Sequence, residues 1–437
     1  MKSFVWHPYT QMNDWKKFDV ISKGRGMWLY DSQGKALMDG VASMWCNVWG
    51  HSNRELVNSM IKQTRKLQHS SLFNLTNDKA EDLAKELVKL ASGMYRVFYS
   101  DDGSTAMEIS AKMALQYWHN KRQRKKTKVV SLENGYHGDT TGTMSLGYVP
   151  LFFSKFKPML FPVSRTPSPH QYRMPKGYSF EDYQEFCLDK IEQIFSKNDN
   201  IAAFVMESGA QIAGGVVIYP KGFQKKISQM CKKYDVLLIL DEIATGFGRL
   251  GSMIEYKNQE STPDIVSFGK MLSGGYLPLA ATLASKKIYD SFLGEYQDMK
   301  HFFHGHTFTG NPLACATALT NLSLYKKYNL LSKIKKRAIQ IQSRIEEISN
   351  LDLVGDVRHK GMLMGIELVS DKKTKTPVSP KKRLPQKIFV EAKKHGLYQR
   401  TLGNIVMVIP PLAISENELD FLLEGTIKTI KNVSSQM

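Results

Sequence analysis

The fold is decided by a fully apolar run that ends in two acids, Val236-Leu237-Leu238-Ile239-Leu240-Asp241-Glu242. A second short apolar run, Ile265-Val266-Ser267-Phe268, leads directly into Gly269-Lys270. Each run is too short for a helix and is bounded by polar or turn residues, which is typical of strands buried on both faces of a parallel sheet. The stretch therefore predicts an α/β fold.

The two runs bring one acid and one lysine to the same place. Because ligands of open α/β sheets bind outside the carboxyl ends of the strands, Asp241 and Lys270 are expected at one edge. A pyridoxal phosphate site requires a lysine for the Schiff base and a carboxylate that keeps the pyridine nitrogen protonated. A helix cap and a surface lysine would explain the same residues. A third strand-like run ends at Glu207. The intervals from Glu207 to Asp241 and from Asp241 to Lys270 each leave room for a crossover between parallel strands, which favours the hypothesis of a cofactor site.

Length and composition are those of an ordinary two-domain enzyme. The chain has 437 residues, of which 42% are hydrophobic, and it exceeds the size of one core. No segment approaches the roughly 20 apolar residues that cross a bilayer, and the first residues have no signal-peptide core. Four cysteines lie far apart without a C-x-x-C pair, which predicts free thiols. We expect a cytoplasmic protein with no membrane partner.

The chain carries a formal charge of +19, from 60 Lys and Arg against 41 Asp and Glu. Such an excess could attract nucleic acid. Much of it lies in basic runs at residues 121–128, 372–375 and 381–383, which lack the interleaved aromatic residues that stack on bases. We interpret these runs as solvated loops and helix ends, and predict no nucleic-acid partner.

A glycine- and hydroxyl-rich turn, Gly103-Ser104-Thr105, opens a predicted helix after the strand at residues 96–100. Free N–H groups, hydroxyl donors and the positive end of the helix dipole suit a phosphate there. An ordinary N-cap would look the same. Further along, Tyr136 lies between Gly135 and Gly138 after another strand, where its ring could stack on a heteroaromatic cofactor.

A second glycine- and hydroxyl-rich loop, residues 302–312, precedes a predicted helix and is another candidate phosphate contact. It contains His304 and His306, but histidine loops without nearby carboxylates rarely bind metal, so we predict no metal site. Residues 152–178 contain five prolines and are expected to form irregular surface structure. Beyond about residue 325 the pattern changes to a long basic helix, expected over residues 330–348, followed by short strands and helices. We therefore predict an N-terminal segment, 1–50, that contributes to a small domain, a large cofactor-binding domain, 51–325, and a C-terminal small α+β domain, 326–437.

Longer motifs resemble the class III pyridoxal phosphate aminotransferases over nearly the whole chain. The elements around Asp241 and Lys270 are shared by the whole family. More specific are His7-Pro8-Tyr9-Thr10, Met113-Ala114-Leu115-Gln116-Tyr117-Trp118 and Gly135-Tyr136-His137-Gly138-Asp139-Thr140. These three resemble the biotin-pathway members of the family.

The resemblance implies fold-type I, the aspartate aminotransferase-like arrangement, with a mostly parallel sheet in a large domain and a smaller α+β domain. It implies a homodimer and pyridoxal 5'-phosphate as cofactor. The implied reaction transfers the amino group of S-adenosylmethionine to 8-amino-7-oxononanoate and gives 7,8-diaminononanoate for biotin biosynthesis.

The resemblance also assigns the cofactor contacts. Lys270 would form the Schiff base and move the proton between substrate and cofactor. Asp241 would pair with the pyridinium nitrogen. Gly103, Ser104 and, from the partner subunit, Thr307 would hold the phosphate.

The remaining assignments concern the ring and the substrate. Tyr136 would stack on the cofactor ring. Both Tyr136 and Lys270 would also contact the substrate. Tyr9 and Trp45 would wall the substrate pocket. Arg400 would pair with the carboxylate of the keto substrate.

Three positions depart from the family pattern. Ser208 follows Glu207 where the family usually has proline, His306 precedes Thr307 where proline is common, and Met407 stands where tyrosine is frequent. The last two lie on the substrate side, so the amino donor stays open between S-adenosylmethionine and lysine. Another class III transaminase, for an ω-amino acid or a diamine, is the nearest alternative. A catalytically idle nucleic-acid-binding protein on the same fold is the alternative from another class.

Overall fold

The computed structural model describes residues 3–15 and 17–437. The strands in chain order are β1 (Ile21–Arg25), β2 (Trp28–Asp31), β3 (Ala36–Asp39), β4 (Met94–Ser100), β5 (Lys128–Leu132), β6 (Ser164–Thr166), β7 (Ile201–Glu207), β8 (Ala210–Gln211), β9 (Val217–Ile218), β10 (Leu237–Asp241), β11 (Ile265–Phe268), β12 (Ala280–Ser285), β13 (Val354–Lys360), β14 (Leu363–Asp371), β15 (Thr376–Pro377), β16 (Leu397–Tyr398), β17 (Arg400–Leu402) and β18 (Ile405–Val408).

The helices in chain order are α1 (Ala42–Trp45), α2 (Arg54–Lys66), α3 (Asp78–Leu90), α4 (Gly103–Asn120), α5 (Thr141–Leu146), α6 (Pro150–Phe153), α7 (Phe180–Lys197), α8 (Phe223–Lys233), α9 (Glu255–Asn258), α10 (Lys286–Asp290), α11 (Pro312–Lys327), α12 (Leu330–Gln342), α13 (Ile345–Ser349), α14 (Leu384–Lys394) and α15 (Glu416–Ser434). Short 3-10 helices include Lys270–Ser273, directly after β11. None of the helices in the described part of the chain is long and apolar enough to cross a bilayer.

The central sheet has the strand order β4-β12-β11-β10-β7-β5-β6. The strands from β11 to β6 pair parallel with their neighbours. Strand β12 runs antiparallel to both β11 and β4. The predicted mostly parallel sheet is therefore confirmed, whereas the reversed strand β12 was not predicted.

The middle strands are buried on both faces because they are apolar throughout. Every residue of β7 and β10 is buried. Along β10, Leu238 and Leu240 belong to the larger core, whereas Leu237 and Ile239 belong to the core on the opposite face, as the alternation of a strand requires. Each such side chain contributes about 1.5–3 kcal/mol by its burial. The polar residues that end these strands are thus held on a rigid base.

The described residues form three smaller sheets besides the central one. The first has the order β1-β2-β3-β16, in which β2 and β3 form an antiparallel hairpin. The second has the antiparallel order β13-β14-β18-β17, with β15 paired to β14, and the third consists of β8 and β9. Strand β16 pairs parallel with β3, so the beginning of the chain joins the C-terminal region. The division at residues 1–50, 51–325 and 326–437 stays a prediction, which this pairing supports.

Two local predictions were wrong. The helix expected over residues 330–348 is divided into α12 and α13, because the chain turns at Ser343 and Arg344. The proline-rich segment expected to be irregular contributes β6, which pairs with β5 at the edge of the central sheet. The predicted free thiols are present; three are buried and Cys46 is partly exposed.

Candidate functional site

A cavity of about 530 Å³ opens at the carboxyl ends of the central strands. A second cavity of about 100 Å³ shares several of its walls, including Trp45, Tyr136 and Lys270. The predicted site residues that line one or both cavities are Tyr9, Trp45, Gly103, Ser104, Tyr136, Asp241, Lys270 and Arg400. The structure thus brings these residues together, although they come from distant parts of the chain.

Asp241 ends β10 and is held in one orientation. It is 4% exposed. Its Oδ1 accepts the backbone N–H of Ile243 at 2.9 Å, and its Oδ2 lies 2.8 Å from Nδ1 of the buried His137. Nε2 of His137 has no hydrogen-bond partner among the described residues. His137 therefore orients the Asp241 carboxylate. We had not predicted this role, although His137 lies in the Gly-Tyr-His-Gly-Asp-Thr motif.

Lys270 follows β11 in a left-handed conformation, with φ of 42°. Its Nζ lies 5.4 Å from the centre of the Trp45 ring. Burial lowers the pKa of Lys270, while the negative charges of Asp241 and Glu207 act in the opposite direction. A lowered pKa favours the neutral amine, which is the nucleophilic form. The lysine is therefore poised for covalent and proton-transfer chemistry.

Glu207 lies beside Asp241 in the parallel pairing of β7 with β10. It is buried, and its carboxylate oxygens accept the N–H groups of Tyr136 at 3.3 Å and Ile212 at 2.9 Å. Burial, with the charge of Asp241, raises the pKa of Glu207 to about 8. The first contact fixes the backbone of Tyr136, whose ring stacks on Phe153 with centres 6.1 Å apart.

The start of α4 lies at one end of the larger cavity. The Asp102 carboxylate caps the helix by accepting the Thr105 N–H at 3.0 Å. The N–H groups of Gly103 and Ser104 have no partner in the described residues, as expected for a first turn. A Cβ on Gly103 would lie 2.7 Å from Ile243, and one on Gly138 would lie 2.2 Å from Ser104 Oγ. Glycine therefore permits the close packing at this end.

The short helix α1, which carries Trp45, has a strained and irregular backbone and is firmly held. Ala42, Ser43 and Trp45 have φ of 47°, 59° and 68°, each at a cost of about 1–3 kcal/mol. The fully buried Asp39 accepts the N–H and the hydroxyl of Ser43 at 2.9 and 2.7 Å, and it lies 3.0 Å from His51 Nε2. This network, which we had not predicted, holds the tryptophan against the cavity.

The open side of the site has fewer contacts. Nη1 of Arg400 lies 3.3 Å from Met44 Sδ, and no carboxylate among the described residues pairs with this arginine. Tyr9, with 55% of its surface exposed, donates its hydroxyl to Asp139 at 2.7 Å. Thr307 lies in an exposed turn and does not line either cavity of its own chain; its assignment to the partner's site stays a prediction.

The family model for class-III aminotransferases matches residues 10–430. The chain belongs to this family. It is 44% identical to the adenosylmethionine-8-amino-7-oxononanoate aminotransferase of Geobacter sulfurreducens, over 98% of this chain and 96% of that protein. It is 42% identical to the Staphylococcus aureus protein of the same name, with the same coverage of both chains.

Solved structures of family members have the same fold. The crystal structure of adenosylmethionine-8-amino-7-oxononanoate aminotransferase from Methanocaldococcus jannaschii superposes with a TM-score of 0.92, at 39% identity, over 99% of this chain and 97% of that one. An omega transaminase from Pseudomonas jessenii in complex with PMP gives 0.94 at 30% identity, over 99% and 97%. The predicted α/β fold of pyridoxal phosphate aminotransferases is confirmed.

Proposed function

We propose that this class III aminotransferase moves the amino group of S-adenosylmethionine to 8-amino-7-oxononanoate, with pyridoxal 5'-phosphate as its cofactor. The observation that carries the proposal is the meeting of Asp241 and Lys270 at one cavity, in a chain whose relatives bear the corresponding name. The catalytic residues would be Lys270 and Asp241.

The residues present fit this cofactor. Gly103 and Ser104 would bind the phosphate through their free N–H groups, and Lys270 would hold the cofactor through Nζ. Asp241 would keep a proton on the pyridine nitrogen, and Tyr136 would orient the ring. When bound, pyridoxal phosphate supplies an electron sink that stabilises a carbanion at the substrate carbon. When the amino donor has displaced it from the cofactor, the free amine of Lys270 would take the proton from the substrate carbon at Nζ. It would then deliver that proton to the cofactor carbon that bears the amino group.

The open side fits a substrate with an apolar chain and a carboxylate. The smaller cavity is lined mainly by apolar and aromatic residues, among them Val41, Trp45, Phe152 and Met407. Arg400 lines the same cavity and lacks a carboxylate partner in the described chain. A guanidinium binds a carboxylate through two parallel hydrogen bonds. The alkyl chain of 8-amino-7-oxononanoate would contact the apolar walls while its carboxylate pairs with Arg400.

We also propose a homodimer in which Thr307 completes the partner's phosphate site. The loop that contains this threonine carries two exposed apolar side chains, Phe303 and Phe308, and the exposed Phe73 lies beside it. Phe73 approaches the loop at Gly305, where a Cβ would lie 2.5 Å from its ring. Such a patch favours burial against a second copy. The cytoplasmic location stays a prediction.

The decisive experiment offers S-adenosylmethionine and lysine separately to the purified holoenzyme and follows the visible absorbance of the cofactor. S-adenosylmethionine is expected to remove the absorbance, and 8-amino-7-oxononanoate to restore it. Loss of absorbance with lysine but not with S-adenosylmethionine would identify lysine as the amino donor. A response only to β-alanine or putrescine would favour the ω-amino acid or diamine alternative and contradict the proposed substrates.

A further inference from the structure

A chain of hydrogen bonds runs from the surface of α4 to the cofactor cavity. Lys112 Nζ lies 2.8 Å from His304 Nδ1. His304 Nε2 lies 2.9 Å from His306 Nε2, and His306 Nδ1 lies 2.8 Å from Asp101 Oδ2. Asp101 lines the larger cavity next to Asp102, Gly103 and Ser104. This series of hydrogen bonds thus ends beside the first turn of α4, where Gly103 and Ser104 have free N–H groups in the described part of the chain.

The direction of every bond in this chain follows from its two ends. An ammonium has only donors, so His304 Nδ1 accepts from Lys112. A neutral His304 then donates through Nε2 to His306, and His306 donates through Nδ1 to the Asp101 carboxylate. Burial lowers the pKa of His304, as does the charge of Lys112, while Glu108 on α4 acts in the opposite direction. The two imidazoles therefore connect the Lys112 ammonium to the Asp101 carboxylate through hydrogen bonds.

Asp101 poses a charge problem for a phosphate at the start of α4. A phosphate monoester carries about −1.5 to −2 charges at neutral pH, and Asp101 and Asp102 both line the same cavity. Asp102 is engaged by the Thr105 N–H. Among the described residues, the Asp101 carboxylate is engaged by His306. Without that hydrogen bond, the Asp101 carboxylate would be less stabilised and its repulsion of the phosphate would be stronger.

We propose that His306 is a positioning residue for the phosphate end of the cavity: with His304 and the Lys112 ammonium behind it, His306 donates a hydrogen bond to the Asp101 carboxylate and stabilises its charge, so that a phosphate ester binds beside it. This inference rests on the cofactor part of the proposed function. It gives a role to His306, one of the positions at which the chain departs from the family pattern.

The test measures the binding of pyridoxal phosphate and of pyridoxal, which lacks the phosphate, to the apoprotein. His306→Phe is expected to raise the Kd for pyridoxal phosphate about tenfold, the scale of a hydrogen bond to a charged group, and to leave the Kd for pyridoxal unchanged. His306→Gln, which keeps an N–H donor, is expected to retain most of the affinity and covers the case in which the phenylalanine variant misfolds. The matched control is His301→Phe, at an exposed position of the same loop.

A second variant separates the effect on the Asp101 carboxylate from a merely structural role. Adding Asp101→Asn to His306→Phe removes the carboxylate that has lost its hydrogen-bond donor, and is expected to restore the affinity for pyridoxal phosphate. Failure of this rescue, or an equal loss of affinity for pyridoxal, would overturn the inference. Failure of the proposed function is seen separately, as a wild-type protein that binds no pyridoxal phosphate or whose holoenzyme reacts with no amino donor.

Discussion

The floor of the cavity and its open side are built in different ways. On the floor, Glu207, Asp241 and Lys270 come from the ends of neighbouring strands in one sheet. On the open side, Tyr9, Met44 and Arg400 come from a terminal segment, the strained helix α1 and a C-terminal strand. The floor residues are positioned by backbone pairing and buried contacts, whereas those of the open side are positioned by single side-chain contacts.

This difference separates chemistry from recognition. Groups on a rigid, buried base need little reorganisation during proton transfer, which favours catalysis. Groups on separate elements can be replaced without disturbing that base. We therefore expect substitutions on the floor to lower kcat and substitutions on the open side to raise KM.

The largest effect is expected from Lys270→Ala. Loss of the amine removes both the covalent attachment and the proton carrier, so kcat should fall by about 10⁴-fold. Steady-state turnover with S-adenosylmethionine and 8-amino-7-oxononanoate measures it. Lys286→Ala, which removes an exposed lysine paired with Asp290, is the control. Turnover at the wild-type rate would contradict the assigned role.

Asp241→Asn is expected to lower kcat by about 10²–10³-fold, with little change in KM, because the amide cannot stabilise a proton on the pyridine nitrogen. Steady-state kinetics with each substrate measures the change in kcat and the change in KM separately. Asp235→Asn, at a surface aspartate near Lys126, is the matched control. If only KM changed, the floor would not differ from the open side as we infer.

Arg400→Ala should raise KM for 8-amino-7-oxononanoate by about 10–100-fold, the value of a lost hydrogen bond to a charged group. The methyl ester of this substrate lacks the carboxylate, so its KM is expected to be the same for wild type and variant. Arg383→Ala, at an exposed arginine paired with Asp14, serves as the control. An equal loss for acid and ester would show that the arginine does not recognise the carboxylate.

The smallest effect concerns stability. Because the pKa of Glu207 is raised from its ordinary 4.5 to about 8 by burial and Asp241, the folded state binds a proton that the unfolded state releases. Its contribution is present below about pH 4.5 and is lost as the pH rises through 8. Glu207→Gln should therefore reduce the fall in unfolding free energy between pH 6 and 9 by about 2 kcal/mol.

Urea unfolding of the apoprotein at several pH values measures this slope. Glu242, whose pKa burial also raises to about 8, would leave a residual slope in the variant. The exposed Glu424→Gln is the control. An unchanged slope in Glu207→Gln would place an ionised Glu207 in the folded apoprotein.

The floor was predictable from sequence because its strands are apolar throughout. The runs that end in Asp241 and Lys270 were located to within one residue. Strand β12 was not predicted, because Ala280-Ala281-Thr282-Leu283-Ala284-Ser285 has few residues of high β propensity, and its pairing with neighbouring strands decides its conformation.

The open side was less predictable for a physical reason. Arg400 is one cation among 60 Lys and Arg, and only the resemblance to the family singled it out. The left-handed conformations of Ala42, Ser43 and Trp45 depend on the buried Asp39 and His51, so no local pattern reveals them. Contacts between distant segments leave little trace in either segment alone.

The reversed strand β12 also sets the distance between strands β4 and β11. It lies between β4, which leads into Gly103, and β11, which leads into Lys270. Two interstrand spacings of about 4.8 Å, or about 10 Å in total, therefore separate the strand that leads to the turn at Gly103 from the strand that leads to the amine of Lys270. This gap can change only by whole strands. A lineage with this sheet can acquire new substrates by single replacements, but we expect the size of its cofactor to stay the same.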